Sequence, residues 1–373
     1  MMSDEVRRAW AYLSRVAEPP CPDLAALVSA HGPVEAANMV RSGNVDPKLR
    51  RWVDARREVD CAAQDLEVLD RLGGRLITPE DDEWPRLAFD PLDRLAKRTG
   101  RAPLVLWAVG PVRLDDAVER AAALVGTRAA TAYGEHVTGE FAAGLVERDV
   151  TVVSGGAYGV DGAAHRAALA SEGITVAVVA GGIDNPYPAG HSALFRRISE
   201  DCLLLSEYPP GIPPGRLRFL TRNRLVAALS GATVVVEAGL RSGAANTAAW
   251  ARMIGRQVCA VPGPVTSAAS AGCHALLRGD AHLVTRAAEV VEFVGRIGEL
   301  APDEPRPVTR LDGLSEGEKQ VYDALPARGA VTVEEIAVAA GIAPQHVLGP
   351  LAMLEIAGLA ISEAGTWRLN KRR

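Results

Sequence analysis

Residues 150 to 170 read Val-Thr-Val-Val-Ser-Gly-Gly-Ala-Tyr-Gly-Val-Asp-Gly-Ala-Ala-His-Arg-Ala-Ala-Leu-Ala. This order predicts a β-branched strand, a glycine turn and an alanine-rich helix. Gly155, Gly156 and Gly159 have no side chains, so backbone N–H groups of the turn can approach an anion at the positive end of the helix, as in a phosphate cradle. A second interpretation is purely structural: the glycines make a tight turn, Asp161 caps the helix and His165 packs behind it.

The glycine spacing argues against a dinucleotide cofactor. The turn has the pattern Gly-Gly-x-x-Gly in place of Gly-x-Gly-x-x-Gly, and Asp184, the acid after the next strand, lies in a Gly-Pro turn. We therefore expect no cofactor.

Composition limits the class of protein. The chain has 373 residues, 48% hydrophobic and 23% charged, which is enough for two or three domains with a large core. No run of about 18 apolar residues and no apolar signal core occurs, so we expect a cytoplasmic protein without a membrane span. A net charge of -5 permits only a local basic patch for nucleic acid. The cysteines are odd in number and scattered, so no metal site is expected; they are Cys21, Cys61, Cys202, Cys259 and Cys273.

Hydrophobic patterning predicts four segments. Residues 1–70 form a small helical domain resembling a SAM or helix-hairpin-helix module, 74–297 an extended Rossmann-like α/β domain with a parallel sheet, 298–312 a linker and 313–373 a winged-helix domain. The nine predicted strands are 75–78, 104–109, 121–126, 150–153, 175–179, 202–206, 232–236, 258–261 and 282–284.

The predicted winged helix lacks the cations of a DNA-reading module. No Lys or Arg occurs from Gly329 to Trp367, a span that includes the whole third helix. Recognition helices use Lys and Arg for phosphates and base edges. We expect this module to contact protein and not to read DNA.

An arginine island is the strongest candidate for a binding surface. Arg216, Arg218, Arg222 and Arg224 lie between Glu207 and Glu237 with no acid among them. They suit a phosphate-backbone groove, with Phe219 and Tyr208 able to stack on bases. The alternative is that Arg222 and Arg224 pair with Glu207 and Glu237, and both roles can coexist.

Catalysis is not expected. Ser154, Asp161 and His165 have the residue types of a hydrolase triad, but the serine has no Gly-x-Ser-x-Gly elbow and the other two share one helix. We interpret Asp161 and His165 as structural.

Together these motifs resemble the DNA-processing protein A family, also called Smf. The resemblance rests on Gly126-Thr-Arg128-x4-Tyr133-Gly134, Ser154-Gly-Gly-Ala-Tyr-Gly-Val-Asp161-x3-His165, Gly182-Ile-Asp184-x2-Tyr187-Pro188, Ser206-Glu207-Tyr208-Pro-Pro-Gly211, Arg222-Asn223-Arg224-x4-Leu229-Ser230, Glu237-Ala-x3-Ser242-Gly243-x3-Thr247 and Pro262-Gly263.

The resemblance implies a cytoplasmic protein that binds single-stranded DNA in a basic pocket, protects incoming DNA and loads the RecA recombinase in natural transformation. It also implies a homodimer formed through the Rossmann domain and no catalytic turnover, with Arg128 as the leading phosphate contact. The DNA-binding residues it suggests are Arg128, Gly155, Gly156, Tyr158, Gly159, Arg218, Arg222, Asn223, Arg224, Ser242, Gly243 and Thr247. The structural residues of the pocket would be Asp161, His165, Glu207 and Glu237.

Two other classes of function stay open. One is a Rossmann-type nucleotide-binding protein or nucleoside-monophosphate hydrolase, although its Pro-Gly-Gly-x-Gly-Thr-x-x-Glu string is absent. The other is a winged-helix transcription regulator with a ligand-sensing domain, which the absence of Lys and Arg from the third helix disfavours.

Overall fold

The computed structural model describes residues 3–95, 100–296, 298–301 and 311–370. The chain forms two compact units, Met1–Pro302 and Asp303–Arg373. Most of the linker predicted over 298–312 lies outside the described residues.

Four helices open the chain, and they pack on the sheet. Gly32, with φ +76°, interrupts α2 where the sequence predicts a break. Trp10 and Tyr12 of α1 are buried in one cluster with Leu76 and Trp107 of the sheet. The boundary predicted near residue 70 therefore falls within a shared core, and the four-part division of the chain stays a prediction. The helices are α1 Asp4–Val16, α2 Pro22–Ser42, α3 Pro47–Val53 and α4 Ala62–Arg71.

A nine-stranded sheet dominates the first unit and contains all nine predicted strands. Its order is β1-β2-β6-β5-β4-β3-β7-β8-β9. The prediction of a parallel sheet is correct for β3 to β9, but β2 runs antiparallel to both β1 and β6. The strands are β1 Gly74–Ile77, β2 Leu106–Val109, β3 Ala121–Val125, β4 Thr151–Ser154, β5 Thr175–Val179, β6 Leu203–Ser206, β7 Ala232–Val235, β8 Gln257–Ala260 and β9 His282–Leu283.

Both faces of the sheet are covered, which explains the continuous apolar runs in its strands. Alternate residues of β3 enter different clusters: Ala121 and Ala123 pack with α5, α6, α10, α11 and α12, and Ala122 and Leu124 with α7, α8 and α13. Small side chains on both faces let the helices approach closely. These helices are α5 Arg86–Asp93, α6 Leu114–Glu119, α7 Ala132–Val146, α8 Val160–Ala170, α9 Ser192–Asp201, α10 Arg216–Ala228, α11 Gly243–Met253, α12 Ala271–Leu277 and α13 Ala287–Val294.

The order of the strands fixes where a ligand crevice can form. From β3 the chain builds β4, β5 and β6 on one side and then returns to place β7 on the other side of β3. The loops after β3 and β7 therefore part in opposite directions at the carboxyl ends of the strands. This is the topological switch point of an open α/β sheet, where ligands bind.

The second unit has its own core of helix and hairpin side chains, including Val321, Ile336, Leu351 and Ala360. Its three helices and hairpin occur where the sequence predicts them, while their role as a winged helix stays a prediction. Capping boxes begin the first two helices, at Ser315 and Thr332. The elements are α14 Glu316–Ala324, α15 Val333–Ala340, α16 Leu348–Ile356, β10 Ala360–Glu363 and β11 Thr366–Leu369.

Within the described ranges, no individual helix has both the length and the apolar character needed to cross a membrane. The pair Val333–Ala340 and Pro344–Ile356 meets those criteria together, by length and composition only, and is bent by 97°.

Candidate functional site

A cavity of about 940 Å³ opens at the switch point of the sheet. The loops after β3, β4 and β7 and the first half of α10 form its walls. Asp161 and seven of the twelve predicted contact residues line it: Arg128, Gly155, Arg222, Asn223, Ser242, Gly243 and Thr247.

Backbone of the β3–α7 loop packs against the start of α8. Gly159 has φ +75° and lies so close to the Thr127 carbonyl that a β-carbon would overlap it. The Val160 N–H donates to the same oxygen at 3.2 Å. Backbone of the β3–α7 loop thus takes one N–H of this helix N-terminus, and the phosphate cradle stays a prediction.

The other two glycines of the turn also serve close packing. A β-carbon on Gly156, which has φ +73°, would come within 2.5 Å of Cε1 in the Phe195 ring. A β-carbon on Gly155 would overlap the guanidinium of Arg222. Because Gly155 has no side chain, the Arg222 guanidinium can lie directly against the turn.

Arg222 is a buried cation in the wall of the cavity. It is 5% exposed, and its Nη1 donates to the Val178 carbonyl at 2.6 Å. Among the described residues no carboxylate lies within ion-pair distance, and Nε has no hydrogen-bond partner. Burial lowers the pKa of Arg222 to about 10, against an attraction to Asp161 that raises it. The side chain therefore stays charged at neutral pH and can take an anionic partner.

Asp161 braces the glycine turn, which agrees with the structural role expected for it. Its Oδ2 accepts the Ala157 N–H at 3.3 Å. Burial raises the pKa of Asp161, and Arg222 and Arg128 act in the opposite direction.

His165 is neutral and buried. Its Nδ1 lies 2.7 Å from the Thr175 hydroxyl, which donates its own proton to the Val152 carbonyl at 2.8 Å. Nδ1 must therefore carry the imidazole proton, which leaves Nε2 without a partner among the described residues. Burial lowers the pKa of His165 to about 3. Ser154 donates to the Leu124 carbonyl at 2.6 Å, so these side chains do not form the bonds of a triad.

The arginine island divides between the cavity and the protein interior. Arg224 is fully buried, and Glu207 accepts from its Nη1 and Nη2 at 2.8 and 2.5 Å. Arg218 donates to both carboxylate oxygens of Glu18, at 2.6 and 3.0 Å. Neither residue lines the cavity. The ion-pair alternative is correct for Arg224, and a direct contact with DNA is contradicted by its burial.

Two further residues of the predicted site have internal roles. Tyr208 is 2% exposed beneath the Arg218 guanidinium, so the prediction that it stacks on bases is wrong. Glu237 accepts from the N–H and the hydroxyl of Thr131, at 2.9 and 2.7 Å, at the start of α7. It does not pair with an arginine of the island, which was the alternative considered for it.

The exposed rim of the cavity combines cations and aromatic rings. The Arg128 guanidinium lies 4.9 Å from the centroid of the Phe219 ring, and the Tyr187 ring meets Phe219 edge-on at 5.9 Å. Arg216 and Arg241 also line the cavity and are exposed. Four arginines therefore face a single carboxylate, Asp161, in this lining.

The sequence predicted Arg216 only as a member of the arginine island, and it did not single out Tyr187 or Arg241 as contacts. All three lie in segments that follow strands β5, β6 and β7, and this position at the carboxyl edge of the sheet is the signal that identifies them. Tyr158 behaves differently: it is exposed, lies edge-on to His191 at 4.8 Å and is outside the cavity lining.

Comparisons with known proteins show which family this chain resembles. Residues 75–295 match the family model of DNA recombination-mediator protein A. A putative DNA processing protein DprA of Mycobacterium tuberculosis is 68% identical over 371 residues, covering 99% of this chain and 95% of that protein. The DprA structure from Streptococcus pneumoniae aligns with a TM-score of 0.63 at 30% identity, over 79% of this chain and 99% of that one.

A second solved structure concerns DNA processing protein A from Helicobacter pylori and its single-stranded DNA binding mode. It aligns with a TM-score of 0.50 at 30% identity, over 58% of this chain and 94% of that one. The family match covers more than half of the chain, including every strand of the sheet apart from the first residue of β1. The chain therefore belongs to the DNA recombination-mediator protein A family and has its role in DNA processing for recombination.

Proposed function

We propose that this protein binds single-stranded DNA in the switch-point cavity and presents it for recombination. The observation that carries the proposal is the cavity itself, in which four arginines and the Phe219 ring line one crevice of about 940 Å³. Proteins commonly bind a single strand through cations that contact the flexible phosphate backbone and through aromatic rings on which the bases stack. The Helicobacter pylori relative, named for its single-stranded DNA binding mode, supports this assignment.

The depth of the cavity favours a single strand over a duplex. Arg222 is buried in its wall, whereas Arg128, Arg216 and Arg241 are exposed. A flexible strand can bring one phosphate towards Arg222 while its neighbours contact the exposed arginines. A stiff duplex, by contrast, presents its phosphates along a convex surface. We assign the phosphate contacts to Arg128 and Arg222, with hydrogen bonds from Asn223, Ser242, Gly243 and Thr247.

Three further features of the proposal rest on the family. The strand is handed to the RecA recombinase, the protein acts as a homodimer through its Rossmann domain, and it works in the cytoplasm on DNA taken up in natural transformation. The description of the family as a recombination mediator supports the first of these.

The C-terminal winged helix is assigned to protein contact. Its exposed apolar side chains include Val338, Leu348, Met353 and Ile356. Exposed apolar side chains of this kind are a feature of protein-binding surfaces. From Gly329 to Trp367 there is no Lys or Arg with which a phosphate backbone could pair.

We propose that the protein has no catalytic turnover on nucleotides. His165 is neutral with its proton on Nδ1, Ser154 is hydrogen-bonded to a backbone carbonyl, and Glu237 is bound to Thr131. None of these groups is placed as a nucleophile with its base. Steady release of base or phosphate from a nucleotide, lost in His165→Ala, would establish the hydrolase alternative.

Fluorescence anisotropy with labelled oligonucleotides of matched sequence tests the main proposal. We expect the single strand to bind more tightly than the duplex, and its affinity to fall steeply between about 50 and 200 mM salt. Equal affinity for both forms, or binding that is indifferent to salt, would contradict it. The same preparation, incubated with nucleoside monophosphates, tests for turnover.

A further inference from the structure

The backbone amides of the glycine turn already hold an anion-like group. The Asp161 carboxyl accepts the Ala157 N–H at 3.3 Å, and the nearby backbone N–H of Gly155 acts to lower the pKa of the same carboxyl group. Backbone N–H groups of such turns also bind phosphate in other proteins. Here a side chain from the first turn of α8 takes the position that a phosphate oxygen would occupy.

This group lies inside the proposed binding cavity. Asp161 lines the cavity together with Gly155 and Ala157, so a ligand that enters meets all three. Arg222, in the same lining, has an Nε without a hydrogen-bond partner among the described residues and is 5% exposed. A buried cation without an ion pair therefore lies against the glycine turn, where a carboxylate already accepts the Ala157 N–H.

The two kinds of phosphate that a cell offers differ in how much they need those donors. A nucleotide ends in a compact phosphomonoester with nearly two negative charges at neutral pH, and such groups bind best where several amides and a cation converge. A phosphodiester within a strand has one charge and is also held through neighbouring phosphates and bases.

We propose that Asp161 is a specificity-determining residue that occupies the amides of the glycine turn and so excludes the terminal phosphate of free nucleotides from the DNA cavity. The selectivity of the cavity for DNA over nucleotides is a difference between two binding free energies. Removing hydrogen-bond donors that the nucleotide needs increases this difference. The inference rests on the proposed binding of single-stranded DNA in this cavity.

Asp161→Ala tests the inference because it frees the amides. Isothermal titration calorimetry with dTMP measures the new site, and thymidine, which has no phosphate, is the control ligand. We expect dTMP to bind Asp161→Ala at least about tenfold more tightly than wild type, with no change for thymidine. Adding Arg222→Ala to the variant should remove the gain.

Asp161→Asn is the matched control, because its side-chain carbonyl can still accept the amide protons. We expect its gain in dTMP affinity to be clearly smaller than that of Asp161→Ala. If the alanine variant does not fold, as circular dichroism would show, Asp161→Ser replaces it, since its side chain is one bond shorter than that of aspartate. Unchanged or weaker dTMP binding in the folded alanine or serine variant would overturn the inference, as would an equal gain in Asp161→Asn.

The binding of a labelled single-stranded oligonucleotide to the same proteins separates the two proposals. If wild type does not bind it, the proposed function fails whatever dTMP does. If wild type binds it and the variants gain no dTMP affinity, only the role of Asp161 fails.

Discussion

The guanidinium of Arg222 lies directly against Gly155, in the position that a side chain at residue 155 would need. Its Nη1 is also fixed by the Val178 carbonyl. The absence of a side chain at Gly155 therefore leaves the space that Arg222 needs in the wall of the cavity.

Gly155→Ala should displace Arg222 and weaken binding of single-stranded DNA by several-fold, while the fold persists because the displaced atoms are the end of a flexible side chain. Anisotropy measures the affinity, and circular dichroism the fold. Gly139→Ala is the matched control, since a β-carbon there meets nothing within 4 Å. Equal affinities for both variants would show that the contact between Gly155 and Arg222 is irrelevant to binding.

The Arg224–Glu207 pair should matter for stability and not for DNA. Arg224→Met leaves the Glu207 carboxylate buried without its cation, which costs about 3–5 kcal/mol of the free energy of unfolding. The double variant Arg224→Met with Glu207→Leu should recover much of this loss, although the hydrogen bond from Arg224 to the Arg101 carbonyl is still missing. Urea unfolding of the three proteins gives the comparison. If Arg224→Met kept its stability but lost DNA binding, Arg224 would be a DNA contact and not a structural residue.

His165 should make the fold sensitive to acid. Its ordinary pKa is 6.5, and burial lowers it to about 3 in the folded protein. Above pH 6.5 neither state binds the proton, and between these values only the unfolded state does. The free energy of unfolding should therefore fall as pH decreases through that window.

The decrease due to His165 approaches about 1.4 kcal/mol per pH unit. His165→Asn, whose amide nitrogen can donate to Thr175 as Nδ1 does, should lose this part of the dependence. Urea unfolding at several pH values between 7.5 and 4 checks it. If the variant and wild type lose stability in parallel, the imidazole is not a neutral buried group.

The C-terminal unit should contribute little to DNA affinity. Truncation after residue 308 removes α14 to β11 and should leave the affinity for a single-stranded oligonucleotide within a few-fold of that of the full chain. A tenfold loss, about 1.4 kcal/mol, would show that this unit binds DNA despite its lack of cations.

The positions of the strands could be predicted from the sequence, because continuous β-branched runs between alanine-rich helices are typical of the buried strands of a parallel sheet. The loops that end these strands meet at one sheet edge, which is why Arg128, Gly155 and Thr247 were predicted together and line one cavity. The antiparallel direction of β2 was missed, since apolar content does not encode the direction of a strand.

The sequence could not predict which arginines line the cavity and which are buried in ion pairs. Arg222 and Arg224 are two residues apart on α10, yet one lines the cavity and the other is buried against Glu207. Two residues correspond to a rotation of about 200° around the helix, so the side chains point in different directions, and only the packed structure shows which of them meets a carboxylate. The glycine turn was likewise ambiguous, because the same residues suit a phosphate cradle and the close packing of Arg222 and Phe195.

Arg128, an exposed cation that lines the cavity, is the leading phosphate contact of the proposed site, and the salt dependence of DNA binding tests this role most directly. Arg128→Ala should weaken single-strand binding by a similar factor for every sequence, because a phosphate contact has no base information. Its plot of log affinity against log salt should be shallower than that of wild type by about 0.7. Arg71→Ala, which removes an exposed cation outside the cavity lining, is the control and should match wild type. Equal slopes for Arg128→Ala and wild type, or a changed sequence preference at unchanged affinity, would contradict the proposal that the strand lies in this cavity.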